Sequence, residues 1–133
     1  MSRPRIPLLL ALLLSATASA PALADDACTG TFRAKIQPIL NTKCVACHQD
    51  AAPADGLSLQ RTAAPASLIG VRGRNAPMPL VTPGDPQQSY LLHKIDGSHL
   101  KVGGQGMQMP VGGKLGDDDI KAITSWIAGC KRA

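Results

Sequence analysis

The residues Cys44-Val45-Ala46-Cys47-His48 decide how the rest of this 133-residue chain is interpreted. They form the pattern C-x-x-C-H, in which two thiols stand three positions apart and an imidazole follows directly. Residues three apart on a helical turn point the same way, so both thiols can add to the two vinyl groups at one porphyrin edge. The imidazole can then bind the iron. The motif therefore predicts one covalently attached haem c, with thioethers at Cys44 and Cys47 and with His48 as proximal axial ligand.

Three other interpretations of the cysteine pair have to be weighed: a thioredoxin-like redox pair, half of a zinc site, and a simple disulfide. A redox pair is typical of a βαβ unit, which the Gly- and Pro-rich sequence around the motif does not provide. A zinc site needs a second close pair of ligands, and the sequence has none. The histidine that follows Cys47 at once favours haem.

The first residues of the chain have the pattern of an export signal. Two arginines precede an apolar run of nine residues at 6–14, and the sequence Ala-Leu-Ala at 22–24 offers a cleavage point. We expect residues 1–24 to be a cleaved secretory signal peptide and residues 25–133 to be one domain. Because a membrane span needs roughly 20 apolar residues, none is expected in the mature chain. The expected location is an oxidising compartment outside the cytoplasm, in particular the bacterial periplasm.

Composition narrows the function classes further. The chain has 14 Lys and Arg against 9 Asp and Glu, a formal net charge of +5; without the two arginines of residues 1–24 the charge is +3, which is too mild to indicate nucleic-acid binding. Its 44% hydrophobic content excludes a disordered tail. The only aromatic residues are Phe32, Tyr90 and Trp126, so the interior lacks the usual large rings. A buried haem, with its large flat apolar surface, would fill that space.

A helix is predicted on the N-terminal side of the motif. Phe32, Ile36, Ile39 and Leu40 have the spacing i, i+4, i+7 and i+8, which is one face of an amphipathic helix. Pro38 interrupts it, because proline has no amide to donate along the helix. We expect either a kink or two short helices, with Pro38 near the start of the second.

A second helix is predicted at the C-terminal end. Gly116 can cap it, the three aspartates at 117–119 favour the positive end of its dipole, and Gly129 can end it. Its buried stripe is expected to consist of Ile120, Ile123, Trp126 and Ile127.

The long stretch between these two helices is rich in turn residues. Short helices are expected over 65–69 and 85–95, and any strand, such as one over 56–59, would be short. We therefore expect an all-α fold, with three to five short helices wrapped around one haem, long loops and at most very short strands.

Several residues are candidates for the second axial ligand of the haem iron. Methionine is common opposite histidine in electron-transfer haems, because its soft thioether raises the potential. Met109 is preferred, since it follows a glycine run that permits close backbone approach and precedes a stiffening proline. Met107 lies in the same loop and is the runner-up. Met78 is better interpreted as core filler, and His93 and His99 are the nitrogen alternatives.

With these residues in view, the chain resembles a single-haem c-type cytochrome of the class I kind, and in particular the planctomycete-type cytochrome c domains. The matching pieces are Ile36-Gln37-Pro38-Ile39-Leu40 before the haem motif, Val81-Thr82-Pro83-Gly84-Asp85-Pro86 with Ser89-Tyr90-Leu91, then Met109-Pro110, and Ile123 with Trp126-Ile127. The resemblance implies that Met109, rather than Met107, is the distal ligand. The chain departs from the family at Val111, where a second proline is common.

The resemblance also implies that the first and last helices pack against each other. Cys28 and Cys130 would fall near that crossing, so we predict a disulfide between them, with free thiols as the alternative.

The predicted function is that of an electron carrier rather than an enzyme. The sequence has no Glu, and the aspartates at 117–119 are better interpreted as a helix start than as an acid and base. The expected partners are periplasmic redox proteins that donate and accept electrons. Five lysines are candidates for a docking rim, namely Lys35, Lys43, Lys94, Lys101 and Lys114. The alternatives are a haem enzyme or gas sensor with an open or displaceable sixth position, and a small cytochrome subunit of a larger oxidoreductase.

Overall fold

The computed structural model describes residues 27–131, so the predicted signal peptide lies outside the described residues. The helices are α1 (Ala27–Thr31), α2 (Gln37–Lys43), α3 (Tyr90–Asp96) and α4 (Asp117–Gly129), with 3-10 turns at Ala54–Gly56, Pro86–Gln88 and His99–Val102. Within 27–131 there is no strand, including at 56–59, and only isolated bridges join Ile69 to Val81 and Arg72 to Pro79. The all-α prediction is confirmed.

A π-helical turn, Phe32–Ile36, joins α1 to α2 and changes the phase of the predicted amphipathic face. The Gln37 amide donates to the Phe32 carbonyl, five residues back. Pro38 lies in the first turn of α2, where its missing amide costs nothing, as predicted. Because a π turn contains one residue more than an α turn, Gln37 points inward and is only 1% exposed, while Ile39 is half-buried. The polar side chain at position 37 therefore belongs to the buried face.

Helix α4 forms as predicted and packs against α1. Gly116 is its N-cap, and the aspartates at 117–119 form its first turn. Trp126 is buried, and its ring centroid lies 5.1 Å from that of Phe32, at an interplanar angle of 55°. Its indole Nε1 donates a 2.9 Å hydrogen bond to the Cys28 carbonyl. Two of the three aromatic residues thus mark the crossing of the first and last helical segments.

A disulfide between Cys28 and Cys130 covalently fixes the same crossing. The two residues are 102 positions apart in sequence, and their Cα atoms are 4.5 Å apart. Both side chains are buried, at 2% and 0% exposure. The bond joins α1 to the residue that follows α4, so it closes nearly the whole described chain into one covalent loop.

The segment between α2 and α3 is held mainly by turns and buried apolar side chains. The helix predicted over 65–69 does not form: residues 61–68 make successive turns instead. Ile69 is drawn into its bridge with Val81, whose amide donates to the Leu68 carbonyl at 3.1 Å. The Ile69 amide still donates to the Pro65 carbonyl at 3.0 Å, so one helix-like turn remains, and the pairing with Val81 follows it directly.

The helix predicted over 85–95 divides into two elements. The Asp85 carboxylate accepts a 3.1 Å hydrogen bond from the Gln88 amide and caps the 3-10 turn. Ser89 is extended and fully buried, and its hydroxyl donates to the Asp85 carbonyl at 2.7 Å. Helix α3 begins only at Tyr90. After this break, the side chains of Tyr90 and Leu92 are buried in the core.

Candidate haem-binding site

The C-x-x-C-H motif forms a single helical turn directly after α2. The Cys44 carbonyl accepts hydrogen bonds from the amides of Cys47, at 3.2 Å, and His48, at 3.0 Å. Cys44 is half-buried and packs against the core, while Cys47 is exposed, and neither belongs to a disulfide. The two thiols therefore have the i, i+3 relation that attachment to one porphyrin edge requires.

The Cys44 thiol lies in an environment that keeps it protonated. Burial raises its pKa to about 11, and the negative charge of Asp119 acts in the same direction. Asp119 belongs to the first turn of α4, so a charge at the start of the last helix acts on the first cysteine of the motif.

The imidazole of His48 is oriented by a backbone carbonyl. Its Nδ1 lies 3.0 Å from the Leu57 carbonyl oxygen. Because a carbonyl can only accept, Nδ1 carries the proton and Nε2 is left as the unprotonated nitrogen. A ligating histidine usually has its second nitrogen engaged in this way, which fixes the ring and raises its basicity. His48 is thus in the tautomer that a metal ligand needs.

The chain after His48 closes into a loop that returns the Leu57 carbonyl to the ring. The Leu59 amide donates to the His48 carbonyl at 2.9 Å. Asp50 accepts hydrogen bonds from the hydroxyls of Ser58 and Thr62, and these bonds lower the pKa of its carboxyl group. We call residues 48–62 the proximal loop.

The methionines differ in their surroundings. Met107 is 62% exposed, and Met78 packs against the core. Met109 is half-buried, yet it is not among the described hydrophobic side chains that pack against the core. Its amide donates a 2.9 Å hydrogen bond to the Lys94 carbonyl in α3. Met109 is thus attached to a helix through its backbone, while its side chain lies outside the core cluster.

Lys94 fastens the loop that carries Met109, residues 103–110, which we call the distal loop. Its ammonium donates hydrogen bonds of 2.7 Å to the carbonyls of both Gln105 and Met107. Burial lowers the pKa of Lys94, and the Asp55 carboxylate acts in the opposite direction. Lys94 was a candidate for an exposed docking rim, and the structure instead places it half-buried across the distal loop.

Replacing Lys94 with methionine, which keeps the stem and removes the donors, should loosen the distal loop. We expect the free energy of unfolding to fall by about 1–2 kcal/mol, because two charge-assisted hydrogen bonds at a half-exposed site are lost. Denaturant titration measures the loss, and hydrogen exchange should accelerate at the Met109 amide. Lys101→Met, at an exposed lysine, is the matched control. Equal stability of the two variants would contradict the role of Lys94.

Each of the other histidines has its Nε2 occupied by a hydrogen bond within the protein, whereas His99 Nδ1 is buried and has no partner among the described residues. His93 lies 2.6 Å from the Ser98 hydroxyl through Nδ1 and 3.0 Å from the Gln87 carbonyl through Nε2. His99 is 3% exposed, and its Nε2 lies 2.9 Å from the Gly106 carbonyl. Both Nε2 atoms therefore donate to carbonyls and are not free lone pairs. His99 thereby fastens the distal loop at a point different from Lys94.

Gly104 shows what one residue of the glycine run does. A Cβ atom at this position would collide with the Tyr90 hydroxyl and would lie 2.8 Å from the His99 carbonyl. The distal loop therefore packs directly on Tyr90, and a side chain at position 104 would push it away.

The sequence does not indicate the roles that three residues have at this site: Gln37, Asp50 and Lys94. Each acts on a backbone carbonyl or on a hydroxyl several residues away, which leaves no spacing pattern. Pro38 was the one available signal for Gln37, since a proline within a helical pattern can shift the hydrogen-bond register.

The residues present fit a covalently attached haem. Two thiols share one turn, the adjacent histidine has its Nε2 free, and a half-buried thioether stands on a fastened loop. Within residues 27–131 there is no cluster of three or more His, Cys, Asp or Glu side chains that could hold a metal ion, and no helix long and apolar enough to cross a bilayer.

Comparison with known proteins gives one match. A family model described as cytochrome c matches residues 34–131, which include the haem motif, the proximal and distal loops and all of α4. Searches of curated proteins and of solved structures give no significant match.

Proposed function

Because the chain belongs to the cytochrome c family, whose members bind covalently attached haem c with iron, we propose that it carries single electrons between redox partners. The haem supplies an iron that gains or loses one electron. In this proposal Cys44 and Cys47 form the thioether bonds, and His48 is the proximal axial ligand through Nε2. The observation that carries it is the 3.0 Å contact between His48 Nδ1 and the Leu57 carbonyl, beside two thiols on the same turn.

Met109 completes the proposed ligand set on the distal side. Its backbone is fixed by Lys94, and its thioether is half-buried without packing on the core. Met107 points to solvent, and its carbonyl is held by the Lys94 ammonium. A methionine ligand favours the reduced iron and raises the potential, which suits an electron carrier.

The proposal includes export to the periplasm and partners that are themselves redox proteins there. The sequence pattern of residues 1–24 supports export, and the disulfide between Cys28 and Cys130 is of a kind that persists in oxidising compartments. With His48 and Met109 both as ligands, the iron would have no open coordination position, which favours electron transfer over an enzyme.

The experiment that tests the ligand set compares Met109→Ala with Met107→Ala in the exported protein. Met109→Ala should lose the red-end charge-transfer band of methionine-ligated oxidised haem, lower the reduction potential and bind CO rapidly when reduced. Met107→Ala, at an exposed position, should retain the parent spectrum. Absorption spectra, potentiometry and the mass of the haem adduct measure these properties.

Three outcomes would count against the proposal. Loss of the band in Met107→Ala alone would move the distal ligand to Met107. Rapid CO binding by the unmutated reduced protein, with no such band when oxidised, would favour the enzyme or sensor. A product without haem mass would remove the proposed function altogether.

A further inference from the structure

We propose that Gln37 is a positioning residue for the proximal ligand, because its buried amide holds the loop whose Leu57 carbonyl orients His48. This inference rests on the proposed function in taking His48 as the iron ligand. Gln37 itself lies in α2, eleven positions before His48, and acts only through the proximal loop.

A continuous set of hydrogen bonds joins Gln37 to the His48 ring. The Gln37 Nε2 donates to the Leu59 carbonyl at 3.0 Å, and this bond is buried. The amide of Leu59 in turn donates to the His48 carbonyl at 2.9 Å. Two residues earlier in the same loop, the Leu57 carbonyl accepts from His48 Nδ1. Fixing Leu59 therefore fixes the short piece of backbone that presents the acceptor to the imidazole.

The π turn puts Gln37 where it can do this. A regular α-helix with the predicted apolar stripe would place position 37 off the buried face, whereas the inserted residue turns it inward to 1% exposure. A second bond runs from Nε2 to the Asn41 Oδ1 of the next helical turn, at 2.8 Å. Both donor hydrogens of the amide are thereby used, one of them on the proximal loop.

The burial of Gln37 is not explained by stability. Its Oε1 is buried and has no hydrogen-bond partner among the described residues. An orphaned buried acceptor costs free energy, so an apolar side chain of the same volume would remove that cost together with the bond to Leu59. Gln37 thus adds little net stability but holds a specific carbonyl, so its role is to position the proximal loop.

The position affects the iron through ligand basicity. A hydrogen bond from Nδ1–H to a carbonyl gives the imidazole more electron density and makes Nε2 a stronger donor. A stronger donor favours the oxidised iron. If the proximal loop slackens, the Leu57 carbonyl moves off the ring, the donor weakens and the reduction potential shifts upward.

The test compares Gln37→Met and Gln37→Leu with the control Asn41→Ala in the haem-bearing protein. Asn41→Ala removes the second partner of Gln37 Nε2 and leaves the anchor on Leu59. We expect both Gln37 variants to keep the haem mass and a thermal midpoint close to the parent. Exchange of the Leu59 amide and of the His48 ring N–H should be roughly fivefold to tenfold faster, the factor for one net hydrogen bond. The reduction potential should rise in both, and Asn41→Ala should resemble the parent.

Several results would overturn the inference. A Gln37→Met protein with parental exchange and potential would show that the amide positions nothing, and one that fails to fold would show a structural role. Exchange of the Leu59 amide in the parent protein at the rate of exposed amides would also overturn the inference, without any variant. None of these results removes the haem or its ligands, whereas failure of the proposed function appears as absent haem mass or a parent spectrum without histidine ligation.

Discussion

A chain carrying both Cys44→Ala and Cys47→Ala is expected to contain no covalent haem and to lose most of its helical circular dichroism. The core is built from small and medium apolar side chains with three aromatic residues, and the Met109 side chain is not packed on it. A haem buries a large apolar surface, and without it the proximal and distal loops would lose the group that the proposal places between them. Mass spectrometry and circular dichroism measure the two losses.

The control for this variant is Met107→Ala, which changes an exposed side chain of the distal loop and should keep both haem and helix content. A double-cysteine variant that unfolds cooperatively at the parental midpoint would contradict the expectation. It would mean that the protein core alone holds the fold, and that the scarcity of aromatic residues has another cause.

Removal of the disulfide, by Cys28→Ala together with Cys130→Ala, should be the second large effect. The bond closes a loop of about 100 residues, for which loop-closure entropy in the unfolded chain corresponds to roughly 3 to 5 kcal/mol. In a domain of this size the thermal midpoint should fall by roughly 15 °C or more. Alanine is preferred to serine, because both positions are buried and a hydroxyl would need a partner. Calorimetry or thermal circular dichroism measures the shift.

The unmutated protein under reducing conditions provides the control for this prediction. It should melt near the double variant, while haem absorption remains. An unchanged midpoint in both samples would show that the packing of Phe32 on Trp126 and the indole bond to Cys28 hold the crossing without covalent help.

The parts of the fold that follow from local sequence could be predicted. Helix α4 is predicted by a capping glycine, three aspartates and an apolar stripe. The haem motif is indicated by five consecutive residues. Pro38 correctly indicated a change within the first helical segment. In each of these cases, the residues that determine the structure are neighbours in the chain.

What could not be predicted depends on pairing between distant residues. The sequence allowed a helix over 65–69, but only turns form there, and Ile69 pairs with the distant Val81. The sequence indicates only a surface charge at Lys94, because the carbonyls that its ammonium binds belong to residues 11 and 13 positions away. A 3.6-residue pattern places Gln37 on the polar side of the helix, because such a pattern does not reveal the extra residue of a π turn.

The covalent loop between Cys28 and Cys130 has a consequence for damaged molecules. Suppose that a protease cuts once between α2 and α3, after the haem motif. The two proposed thioethers would then stay on one fragment and Met109 on the other, while the disulfide still joins the fragments. Tethering of this kind keeps the detached thioether at an effective concentration of about millimolar. A nicked protein would therefore stay in one covalent piece, and it would separate into two fragments only where its surroundings reduce the disulfide.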